Sequence, residues 1–230
     1  MFEVGPAGEA GLRLVFLEAP QPVLTRDLLR IQSAAQDYFG ERLADSVVGY
    51  TTLTLLFHPL RLERDRAEAW LHKQAERRAQ ADCDEYSPAR TVITLPVLYH
   101  PSVAPDLEWL ADQKSMCIDQ VVALHTGVTY FAYAVGFAPG FCYLGEVPTE
   151  LATPRLANPR RAVPAGAVAV ADRQTAVYPG ISPGGWRLIG SCPKPLFHGG
   201  DHPAALLAVG DSVRFESINT QEFLKLGGEL

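Results

Sequence analysis

Arg155, Arg160 and Arg161 stand close together in the stretch PRLANPRRAVPAG, set between Pro154, Pro159 and Pro164 with no acidic neighbour in the sequence. A guanidinium is a planar fork of donors suited to a carboxylate or phosphate, and a proline-stiffened loop holds it in place at a lower entropic cost. Arg155 and Arg160, each directly preceded by proline, are therefore candidate anion-binding residues, whereas Arg161 reads as solvated. Further along, SPGGWRLIG sets Ser182, Gly184 and Gly185 beside Trp186. Consecutive glycines let bare backbone N–H groups face a ligand, and an indole is a flat apolar platform with one donor. The competing reading is a glycine turn stapled by a buried tryptophan. Gln174 in QTAVYP adds a side-chain amide that suits a ligand or strand surface alike, and His125 closes the ALH step. That histidine is either a polar group at the mouth of a barrel or a side chain favoured by the negative end of a helix dipole.

As candidates these residues make a half-site, suited to holding an anion but not by themselves to activating water. No Ser-His-Asp order can be assigned around Ser182, and no P-loop, dinucleotide fingerprint, H-E-x-x-H or EF-hand loop is present. No cofactor is bound through a recognisable motif, and no metal site is expected. The four cysteines, Cys83, Cys117, Cys142 and Cys192, lack C-x-x-C or zinc-knuckle spacing and read as reduced thiols. Cys142, between Phe141 and Tyr143, is rejected as a nucleophile. A formal charge of -6 argues against a nucleic-acid binder, which needs a basic footprint. There is no secretory leader pattern and no run of apolar residues long enough to span a bilayer, so the expectation is a soluble, cytoplasmic protein.

The elements that must position these residues fall into two sets. At 230 residues the chain has room for one large or two small cores. Leu12 to Leu17 reads as a strand; Thr25 caps a helix running to a stop at Gly40; Ser46 to Tyr50 and Thr52 to Phe57 form a strand pair; and a charged helix spans Arg64 to about Ala81. A further strand, Arg90 to Leu98, closes the set, and strand-helix-strand-strand-helix-strand suggests an α+β, ferredoxin-like sandwich. The domain boundary is placed at 88/89. Two short helices follow, Pro105 to Gln113 and Ile118 to Thr126, the second stopped by Gly127 and starting at Cys117. From Val128 onward, short apolar runs punctuated by proline and glycine predict a small mainly-β barrel or sandwich, 89–230. Within it, GFAPGF is a tight corner packed by Phe137 and Phe141 or a pocket wall, and Ala167 to Pro179 is a hairpin turning at Asp172 and Arg173.

GFAPGFCYLG, the two Pro-Arg steps, VPAG, QTAVYP and SPGGWRLIG follow one another in the order and spacing of one family. On these motifs the chain resembles the family of 5-oxoprolinase B subunits, also called allophanate hydrolase subunit 1, which includes the inhibitor of a sporulation histidine kinase. The resemblance implies a cyclophilin-like β-barrel behind the α+β domain. It also implies one component, inactive alone, of an ATP-hydrolysing complex that opens 5-oxo-L-proline to L-glutamate. Its partners would be proteins like the A and C subunits of 5-oxoprolinase, with ATP used by the assembly. Inhibition of a sensor histidine kinase, and a place in a urea carboxylase or allophanate hydrolase system, are the alternatives within the family. Two positions depart from its pattern: Cys117 replaces a Ser or Thr helix cap, and Asp172-Arg173 replaces a glycine-bearing turn.

Overall fold

The computed structural model describes residues 1–58, 60–61, 63–80, 92–200 and 204–230, and the chain divides into two compact units, Met1–Ala89 and Arg90–Leu230. The expected 88/89 boundary, Cys83 and the first residues of the strand expected from Arg90 lie outside the described residues. No helix among the described residues is long and apolar enough to cross a membrane.

The first unit contains β1 (Phe2–Pro6), β2 (Gly11–Phe16), α1 (Pro22–Phe39), β3 (Leu43–Val48), β4 (Thr52–Phe57) and α2 (Arg64–Gln80), with sheet order β1-β2-β4-β3, antiparallel throughout. Alternation on β2 and β4 sends Leu12, Leu14, Phe16, Leu53, Leu55 and Phe57 inward. They meet Leu28, Ile31, Ala35 and Phe39 of α1 and Ala67, Leu71 and Ala75 of α2. The helix start differs from expectation: Pro22 occupies the first turn behind Gln21, and Thr25 is buried one turn in, its hydroxyl 3.4 Å from the Gln21 carbonyl. Proline at that point forfeits no hydrogen bond, because the first-turn N–H groups lack helical partners anyway. The other end is as expected, with Gly40 at φ 53.

The strand expected to close this unit is not in its sheet. β5 (Val92–Val97) belongs to the second unit, where it runs parallel to the last strand of the chain, and β1 fills the edge beside β2 instead. An isolated segment says nothing about its partner, and FEVGP, short and ending in Gly-Pro, gives only a weak local strand signal.

The second unit continues with α3 (Leu107–Gln113), α4 (Ile118–Thr126), β6 (Thr129–Val135), β7 (Cys142–Gly145), β8 (Arg160–Val163), β9 (Ala167–Ala171), β10 (Gln174–Val177), β11 (Ser182–Gly184), β12 (Arg187–Ser191), β13 (Phe197–His198), β14 (Ala204–Ala205), β15 (Ser212–Ser217) and α5 (Thr220–Lys225). Seven strands form one sheet in the order β12-β9-β10-β7-β6-β15-β5. Its two edges are joined by a bridge, with Leu98 N–H donating to Ser191 O at 2.9 Å and Ser191 N–H to Leu98 O at 3.0 Å. The sheet is thus a nearly closed barrel. β8 and β11 form a separate two-stranded ribbon.

β9, AVAVA, is buried along its whole length. Its valines, Val168 and Val170, fill the barrel interior with Leu144, Ile189, Val213 and Phe215, while Ala167, Ala169 and Ala171 face Phe141, Tyr178 and Trp186 on the other side. Alanine is what that face tolerates, because three large rings already occupy the space. Two local departures resolve simply. Asp172 takes the left-handed turn conformation, φ 50, that glycine would otherwise supply, and its backbone exchanges hydrogen bonds with Thr153 at 2.6 and 3.2 Å. At Cys117, the Gln120 side-chain oxygen accepts from the Cys117 N–H at 2.8 Å, so the residue three positions on provides a cap contact.

Candidate functional site

The barrel sheet separates the candidates. On β10, Thr175 and Val177 point inward, while Gln174 and Ala176 face the aromatic layer outside. His125, in the last turn of α4, is fully buried on the interior side rather than at a mouth. Tyr130 O–H donates to its carbonyl at 2.9 Å, and its ring stacks obliquely on Phe215 at 4.6 Å between centroids. The ring nitrogens meet Tyr99 Oη at 2.7 Å and Thr175 Oγ1 at 2.9 Å.

Thr175 donates its only hydroxyl proton to Ala169 O at 3.0 Å, so it must accept from His125 Nε2–H, which leaves Nδ1 to accept from Tyr99. The directed chain Tyr99, His125, Thr175, Ala169 O satisfies a neutral imidazole completely. Burial lowers the His125 pKa to about 3 and pushes the Tyr99 and Tyr130 phenols up. This histidine is a neutral core residue. The helix-dipole argument concerned a cation, and desolvation outweighs it here.

On the outer side, Trp186 is 5% exposed, with its ring centroid 5.8 Å from Phe141 and 5.9 Å from Tyr143. Arg155, exposed, lays its guanidinium 5.6 Å from the indole centroid and has no acidic partner among the described residues. Gly184 has a packing reason to be glycine: a Cβ there would overlap the Tyr178 hydroxyl. Gly185 instead accepts Leu156 N–H on its carbonyl at 2.7 Å. Gln174 stands opposite Gly145 of β7 and Ala171 of β9. Phe137 is 60% exposed and adopts φ 79, a conformation uncommon for a bulky side chain. In the same loop Gly140 lies so close to Leu196 and Phe197 that a Cβ would meet them at 2.9 and 2.7 Å, so its backbone packs tightly against the chain itself.

Arg160 departs furthest from expectation. Its Nη2 donates to both oxygens of Asp106, at 2.9 and 2.8 Å, and Nη1 to Trp186 O at 3.2 Å. The arginine loop has no acid nearby in sequence; the fold brings one from the start of α3. Asp106 Oδ2 also accepts Leu188 N–H of the edge strand β12 at 2.7 Å, and Arg187 Nη1 stands 3.7 Å from Oδ1. Asp106 therefore ties α3, β8 and β12 together.

Ser182 begins β11, and its Oγ is buried without a hydrogen-bond partner among the described residues. Residues 180–184, Gly-Ile-Ser-Pro-Gly, do have the spacing of a nucleophile elbow, but that motif needs a strand-to-helix turn and a base, and Ser182 lies in a ribbon with neither. Burial pushes the Cys142 thiol up to about 12 and Cys192 to about 11, so neither is a ready thiolate.

The structure thus unites Arg155, Gly184, Trp186 and Tyr178 on one face, ties Arg160 to Asp106 beside them, and sends His125 inside the barrel. Sequence reasoning missed Asp106, Tyr99 and Arg187 as polar partners. Arg187 lies within SPGGWRLIG, but nothing local distinguishes it from a solvated strand arginine.

Residues 2–207 match the family described as carboxyltransferase domain, subdomain C and D. The chain is 30% identical to the 5-oxoprolinase B subunit of Bacillus subtilis (strain 168), over 96% of this chain and 95% of that protein. It is 37% identical to the 5-oxoprolinase B subunit of Escherichia coli O157:H7, over 89% of this chain and 92% of that one. Among solved structures, TTHA0988 superposes with a TM-score of 0.77 at 35% identity over 92% of this chain, which spans only 40% of that longer one. The Kluyveromyces lactis urea carboxylase gives a TM-score of 0.74 at 15% identity, over 97% of this chain and 22% of that one, a likeness of fold alone.

Proposed function

The chain belongs to the carboxyltransferase domain, subdomain C and D family, and on that premise we propose that it is the B subunit of a cytoplasmic 5-oxoprolinase. It would act with proteins like the A and C subunits of that enzyme to open 5-oxo-L-proline to L-glutamate at the expense of ATP. The observation that carries this reading is the near full-length match to two proteins named as B subunits of 5-oxoprolinase.

The chemistry constrains the role. An unstrained amide is a poor electrophile, so the lactam oxygen has to be phosphorylated to become a leaving group, and negative charge must be stabilised as it develops. In this chain Arg155 is the candidate suited to stabilising that charge, being exposed, held over Trp186, and without an acid among the described residues. The neutral, buried His125 and the raised Cys142 and Cys192 thiols supply no activated base or nucleophile. Inactivity of the isolated chain is therefore part of the proposal.

The test is ATP-dependent glutamate formation from 5-oxoproline by the chain alone, with the C-like partner, and with both partners. Turnover is expected only in the last mixture. Turnover by the lone chain, or none in any mixture despite a stable complex, would overturn the reading.

A further inference from the structure

A groove of about 840 Å³ runs over the second unit, walled by the 101–105 loop, β8, the chain leaving β12, and residues 227–230. Its surface is more apolar than polar, with Pro101, Pro105, Pro164, Pro193 and Pro195 along its sides. That volume suits a small organic ligand. Arg160 lines it, with Ala162 two residues along the same face of β8. The other charged side chains lining it, Lys194 and Glu229, are of opposite sign.

Among the described residues, charge does not balance behind Arg160. Two guanidinium groups, with side chains 26% and 16% exposed, face one carboxylate that is 8% exposed. Arg160 takes that carboxylate through short contacts; Arg187 is left 3.7 Å away, and its Nε is buried with no partner among the described residues. Its guanidinium carbon lies 3.5 Å from the Trp109 ring centroid, a contact that fixes its plane without satisfying its donors. Buried polar groups are ordinarily paired, so Arg187, which does not itself line the groove, is left competing with Arg160 for one carboxylate.

We propose that the end of this groove at Arg160 binds the carboxylate of a small organic acid whose apolar body lies along the groove. The incoming carboxylate engages Arg160, and Asp106, relieved of it, closes its gap to Arg187, so that two cations face two anions. Such binding goes beyond the 5-oxoprolinase reading, and testing it needs neither ATP nor the partner proteins.

The experiment is calorimetric titration of the full chain with acetate, hexanoate and octanoate, with octanol and inorganic phosphate as controls. Affinity is expected to rise roughly threefold to fourfold per added methylene until the groove is filled. Octanol and phosphate should each bind at least tenfold more weakly than octanoate. Arg187→Gln should weaken octanoate about tenfold by removing the second cation. Ala162→Phe, at an exposed position that leaves the charge cluster untouched, should abolish the chain-length dependence and keeps the test informative if Arg187→Gln misfolds. Equal binding of octanol and octanoate, phosphate binding as tightly as octanoate, no binding of any acid, or unchanged octanoate binding in folded Ala162→Phe would each overturn the proposal.

Discussion

The second unit contains two polar clusters assembled from distant parts of the chain, and they are finished to different degrees. Inside the barrel, Tyr99, His125 and Thr175 form a chain in which both ring nitrogens find a partner and no net charge remains. Beside the groove, Asp106, Arg160 and Arg187 leave one cation uncompensated and one buried donor unpaired among the described residues. Both are largely buried and both join several elements. Completeness of pairing, rather than burial or residue type, is what distinguishes the two clusters.

Three perturbations sharpen that contrast. The largest effect is expected for Asp106→Ala, which leaves two guanidinium groups and Leu188 N–H without their acceptor; loss of one side of a buried pair costs about 3–5 kcal/mol, read by denaturant unfolding. A cost below about 1 kcal/mol would mean that water already satisfies the cluster.

The second concerns pH. His125 has its pKa lowered to about 3 in the folded chain against about 6.5 when unfolded, so the unfolded state binds the extra proton. Stability from this group is fully present above 6.5 and is lost as pH falls toward 3. Between pH 7 and pH 4 the loss should be roughly 3 kcal/mol, and His125→Phe should remove that component of the pH profile whatever it does to stability at neutral pH. An identical slope in the variant would place the acid sensitivity elsewhere.

The smallest stability effect is expected at Arg155. Its contact with Trp186 is exposed, and Arg155→Ala should change unfolding free energy by less than about 1 kcal/mol. A larger loss would make Arg155 a structural residue and would undercut its proposed role with anions.

Local sequence determined a good part of this molecule. Periodicity located α1, α2, α4, β4 and the β9–β10 hairpin, because apolar spacing and glycine or proline stops act over only a few residues. Motif order carried the family. Pairing was decided by the tertiary structure. Nothing in VITLPV states that β5 runs beside β15 rather than completing the first sheet. Nothing in PRLANPRR shows that Asp106 waits for Arg160, and nothing in ALH shows that Thr175 and Tyr99 will meet the ring. Those partners lie from 26 to 54 residues apart. The charge, hydrogen bonding and burial that set the role of an ionisable side chain come from such neighbours, and only the folded second unit brings them together.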